Sequence, residues 1–159
     1  MASRHSNRSK EPDEVLRPKN TRQYALCFPT LVVEVGRSES PGKLRNDAQF
    51  WLTHTDREVH VVILIHIRAD NRQLHLEHWE LLHRDLSCTR QSATPTKLQE
   101  LDLRLQNDGT VSVNPSSATL DIATQLLFNI VSPSVTNDTI TIGPNELQSF
   151  GYDYFTINK

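Results

Sequence analysis

The sequence predicts an α/β fold built on a mixed sheet, and three stretches carry that prediction. TLVVEVG at 30–36 is a strand-length run of β-branched and apolar residues. VHVVILIHI at 59–67 is apolar almost throughout, as expected of a central strand covered on both faces. Between them lies a helix signal over 40–53. Ser40 can cap it, Pro41 suits its first turn, and Leu44, Ala48, Trp51 and Leu52 recur at helical spacing. Strand, helix and strand in that order form a crossover unit, which implies parallel strands and a right-handed connection.

The remaining elements follow in order. Residues 1–10 read as a flexible tail and 11–159 as one domain, a length that can bury a single core. Residues 13–18 and 22–28 read as short strands around a turn at Pro18–Asn20. QLHLEHWELL at 73–82 alternates as a half-covered strand does, and 87–97 reads as a polar loop holding Pro95. LQELDLRLQ at 98–106 alternates again, and Asn107-Asp108-Gly109 turns it into TVSVN. Residues 117–131 suit either a short helix or a strand followed by a helix. ITI then reads as a strand and PNELQSF as a helix begun at Pro144. The part beyond residue 82 is thus a β-rich C-terminal extension.

Composition narrows the classes. The longest apolar run is strand-length, well short of the ~18–20 residues of a membrane span. The first ten residues hold no apolar stretch of the secretory kind, so an intracellular protein, cytoplasmic or nuclear, with Cys27 and Cys88 as reduced thiols, is expected. The net charge of -2 hides an asymmetry: Arg4, Arg8, Lys10, Arg17, Lys19 and Arg22 crowd the start, and none follows Arg104 until Lys159. That basic start reads as a solvated leader or as a contact for nucleic acid. No Gly-rich phosphate loop, CxxC pair or G-x-S-x-G elbow is present.

One acid, Glu34, interrupts the apolar strand 30–36, and Asp13 stands about twenty residues upstream in KEPDEVLRP. Two carboxylates on adjacent strands can share Mg²⁺, and the carbonyl of Val35 can add a third oxygen. A lysine nearby would orient water and stabilise charge at phosphorus. The other reading of Glu34 is a structural acid paired with Arg45 or a backbone donor. For Asp13 it is a turn acid. For Lys43 it is a solvated side chain paired with Asp47. His75, His78 and His83 surround Glu77 and Glu80, but on one strand no face gathers three ligands, which argues against zinc. His60, His66, Trp51 and Trp79 read as core or edge side chains.

KEPDEVLRP, PTLVVEVGRSESPGKLRNDAQFWL and VHVVILIHI together resemble the restriction-endonuclease-like, PD-(D/E)XK superfamily. The likeness is to a branch reading PDLVVEV before a helix, and includes fungal members; it spans about residues 10–82. It implies a restriction-endonuclease-like mixed sheet and a Mg²⁺-dependent nuclease, Mn²⁺ substituting, acting on DNA or RNA. Asp13 and Glu34 would bind metal with the Val35 carbonyl. The family lysine falls at residue 36, which is Gly36 here, so Lys43 takes that role by resemblance and Arg45 is the second candidate. The resemblance also implies an N-terminally shortened core whose exposed sheet edge a homodimer could cover. The alternative is a catalytically degenerate interaction module that keeps the fold.

Overall fold

The computed structural model describes residues 10–22, 27–37, 39–83, 93–128 and 138–157. Its elements are β1 (Glu14–Leu16), β2 (Leu31–Gly36), α1 (Pro41–His54), β3 (Val61–Arg68), β4 (Gln73–His83), β5 (Ala93–Leu105), β6 (Val111–Asn114), β7 (Leu120–Ala123), α2 (Thr124–Phe128), β8 (Thr139–Ile142) and α3 (Pro144–Ile157). A 3-10 turn, Ala69–Asn71, joins β3 to β4. The first six strands form one sheet in chain order, and β7 and β8 form a second, two-stranded sheet. Among the described residues only the β2–β3 pair is parallel, and every other pair is antiparallel. The class is therefore mixed α/β, with α1 as the crossover that the parallel pair requires.

Local signals explain α1. The Ser40 hydroxyl accepts the Lys43 N–H at 3.3 Å and Pro41 occupies the first turn. Leu44, Ala48, Trp51 and Leu52 are buried against Val32, Val62, Leu64 and Trp79. The Thr55 hydroxyl closes the helix by donating to the Trp51 carbonyl at 2.7 Å and accepting the Val59 N–H at 3.3 Å.

The opposite face of the sheet is covered by the C-terminal part. Leu120 and Ile122 of β7 and Leu127 of α2 pack on Val61 and Ile63. Leu147, Tyr154 and Phe155 of α3 pack with Leu74, Leu76, Leu101 and Leu103. So β3 is covered on both sides, as its continuous apolarity predicts. The β-rich extension is no appendage: β5 and β6 continue the main sheet, while the rest forms its third layer.

Several expectations need correction. Pro95 does not sit in a loop: β5 begins at Ala93, and residues 87–92 lie outside the described residues. Proline is tolerated there because β6 pairs only with Asp102–Leu105, so the N-terminal half of β5 needs no outward donor. Pro95, Lys97 and the register shift opposite His78/Trp79 also blunt that edge against further pairing. The strand expected at 13–18 shrinks to Glu14–Leu16. Residues 23–26 of the expected strand 22–28 lie outside the described residues, and Arg22, Cys27 and Phe28 are not strand. Segment 117–131 resolves into strand plus helix for its described part, and the last helix runs on to Ile157. The turn at Asn107–Gly109 forms as expected, with Gly109 at φ +85°.

The basic start is partly structural. Arg22 is buried, donating to the Glu58 carboxylate and the Glu58 carbonyl, each at 2.8 Å. Lys10, read as tail, packs into the domain.

Candidate functional site

β1 pairs with β2 so that Glu14 faces Val33, and one further step sets Asp13 level with Glu34. The two acids are thus strand neighbours, but each carboxylate is engaged separately. Asp13 Oδ2 accepts the Val35 backbone N–H at 2.7 Å, extending the ladder just before β1 begins. Glu34 points toward α1 and is 6% exposed. Its Oε1 accepts the Trp51 indole N–H. Lys10 Nζ lies 3.2 Å from the same oxygen and 2.7 Å from Asp47 Oδ1, with the ammonium 5.7 Å from the Trp51 ring centroid. A buried acid thus has an indole donor and a cation, which satisfies it without metal. Arg45 is not its partner.

Gly36 follows Glu34 by two residues and so lies on the same strand face. A Cβ added at Gly36 would stand 2.7 Å from Leu44 Cδ1 and 3.0 Å from its Cγ. Leu44 is buried in the core, so the space a lysine side chain at residue 36 would leave through is filled by a packed side chain. Lys43 does not take over that place. Its ammonium is exposed and pairs with Glu39, not Asp47, and that hydrogen bond raises its pKa. Asp13, Glu34 and Lys43 are therefore each committed to a different partner. A divalent cation does not fit this donor set: an ammonium already stands at Glu34, and the described contacts bring no third carboxylate to Asp13.

Sequence reasoning missed Lys10, Asp47 and Trp51. Asp47 and Trp51 are four apart on α1, which places them on one face and was a readable signal. Lys10 carried none, since its partner is set only by tertiary packing.

A second polar cluster lies on the other flank of α1. Glu77 is 3% exposed. It accepts Arg45 Nε at 3.0 Å, Arg45 Nη2 at 2.5 Å and Trp79 Nε1 at 2.8 Å. His75 bridges Glu77 Oε1 at 3.2 Å and Asp102 Oδ1 at 2.7 Å. Burial pushes the Glu77 carboxyl up, but the hydrogen bonds from His75, Arg45 and Trp79 outweigh it and hold it far below the usual carboxylate range. The Glu77 hydrogen bond raises the His75 pKa against the opposing effect of burial, with Asp102 adding to the rise.

Ligand atoms of His75, Glu77 and Glu100 fall within 4.8 Å of one another. β4 alone brings two of these ligands to one face; the third comes from β5, which sets Glu100 opposite Glu77. Yet Arg45 grips Glu77, and Lys97 pairs with Glu100 while standing 3.9 Å from Glu77. Two side-chain cations already neutralise the acids.

No family model, curated protein or solved structure matches this chain. No helix among the described residues is long and apolar enough to cross a membrane.

Proposed function

We propose that this chain is an interaction module on a nuclease-like core and that it does not hydrolyse phosphodiesters. The observation that carries the reading is Leu44 packed into the space beside Gly36, where the family lysine would stand. Metal-dependent hydrolysis needs two carboxylates free to share a cation and a base or ammonium aimed at the attacking water. Here Asp13 caps Val35, Glu34 is held by Trp51 and Lys10, and Lys43 faces Glu39. The antiparallel β1–β2 pair followed by the parallel β2–α1–β3 crossover supports the nuclease-like reading of the core.

The test is incubation of plasmid DNA and single-stranded RNA with the purified chain and Mg²⁺ or Mn²⁺. Wild type is expected to cleave no faster than Glu34→Ala. Metal-dependent cleavage that disappears in Glu34→Ala overturns the reading. One observation favours a second reading, in which Lys10, between Glu34 and Asp47, replaces the missing lysine. The same assay separates it: cleavage by wild type that is lost in both Glu34→Ala and Lys10→Ala supports it, and absence of cleavage excludes it.

A further inference from the structure

The parallel strands β2 and β3 end on the same side of the sheet. Arg37 follows β2, Arg68 closes β3, and Arg72 leads into β4 after the 3-10 turn. α3 brings Tyr154 and Phe155 to that end. Together these side chains line a cleft of about 270 Å³. A second cleft of about 210 Å³ shares Arg72, Leu105 and Phe155 with it and adds Gln106, Asn107 and Tyr152. Joined, the two are in the size range of small-ligand sites, roughly 300–1,000 Å³.

Three features set this place apart. None of the three guanidiniums has an ion pair or side-chain hydrogen bond among the described residues, unlike Arg22 and Arg45, which are both held by acids. Three cations line one cleft with no acid among its described lining residues, an arrangement that an anion would relieve, and a guanidinium matches phosphate with two donors at once. Arg72 also adopts the left-handed conformation, with φ 49° and ψ 49°. Its backbone is fixed there by its N–H to Ala69 O at 3.1 Å and its carbonyl from Leu105 N–H at 3.0 Å. Glycine would hold that turn at less cost, yet an arginine stands there, at the point where both clefts meet. Finally, the adjoining cleft offers Tyr152 and Phe155 rings beside the Gln106 and Asn107 amides. Flat apolar faces with amide donors and acceptors suit a nucleobase.

We infer that this end of the sheet binds a nucleoside phosphate, free or as the 5′-terminal nucleotide of a strand, with the phosphate among Arg37, Arg68 and Arg72 and the base beside Tyr152 and Phe155. Binding at this end of the sheet requires no cleavage of nucleic acid by the chain. Calorimetric titration with adenosine 5′-monophosphate, adenosine and inorganic phosphate tests it, alongside a tetranucleotide with and without a 5′-phosphate. At least one of the two phosphorylated probes is expected to bind, and about tenfold or more tighter than its counterpart lacking phosphate. Tighter binding of the monophosphate than of the phosphorylated tetranucleotide identifies a free nucleotide as the ligand; the reverse identifies a strand end. Arg72→Gly should weaken binding about tenfold or more while leaving the melting temperature unchanged or raised, since glycine suits the turn. Failure of both phosphorylated probes to bind overturns the inference, as does binding that is unchanged in Arg72→Gly.

Discussion

Replacing Glu77 with alanine is expected to lower stability by about 3 kcal/mol, measured by urea unfolding. The carboxylate is buried and holds Arg45, His75 and Trp79 together. Its removal strands the Trp79 N–H in the core and leaves a void beside it. Arg45 softens the loss, because its side chain is 42% exposed and can turn to water. Glu77→Gln keeps the shape and one acceptor, so its cost should be smaller.

The same cluster sets a pH window. The Glu77 pKa is lowered on folding from the ordinary 4.5, so its contribution is present above that value and is lost as pH falls through the folded value. The His75 pKa is raised from 6.5, so its contribution is full below that value and is lost as pH rises through the folded one. Between 4.5 and 6.5 both act in full. Wild type should therefore lose stability as pH rises above about 6.5, and His75→Gln should not show that component. An identical alkaline decline in His75→Gln would mean that another group titrates.

Gly36→Lys, which restores the residue the resemblance calls for, is expected to destabilise the chain by about 2 kcal/mol. The new Cβ would meet Leu44 at 2.7 Å, and Leu44 lies in a closed layer with Val32, Trp51 and Leu64. Leu44→Ala alone should cost about 3 kcal/mol by leaving a void. The double variant should cost less than the sum of the two by about 1 kcal/mol or more, because the lysine stem then enters the vacated space. Additive costs would show that Leu44 is not what closes that position. The restored lysine is not expected to produce cleavage, since Glu34 stays paired with Lys10 and Trp51.

These two sites also mark how far the sequence can be read. The β2–α1–β3 unit was legible because its signals are local: β-branched runs, a Ser-Pro helix start and a four-residue apolar stripe. The start of α3 at Pro144 was legible for the same reason. Pro95 argues against a strand, so the sequence predicts a β5 shorter than the one formed, and only the sheet's edge geometry makes the proline harmless. At the site, the oddity of Glu34 was visible, but its partners were not. Lys10 reaches it from a segment without periodicity. Arg45 and Asp47 stand about 200° apart around the helix, so α1 itself sends Arg45 to β4 and Asp47 toward β2. The Glu77 cluster was missed because it assembles across strands, and reading β4 alone cannot place Glu100 or Asp102 beside it. That Gly36 lacks a lysine was plain; that Leu44 fills its place could be known only from packing.

We propose that Glu34 is a structural acid held by Lys10 and Trp51 and is not half of a metal site. Crystals of the chain soaked in Mn²⁺ and measured at the manganese absorption edge test it most directly. No anomalous peak is expected between Asp13 and Glu34, with the Lys10 ammonium in contact with the Glu34 carboxylate. A peak within about 2.5 Å of oxygens from both carboxylates would contradict it.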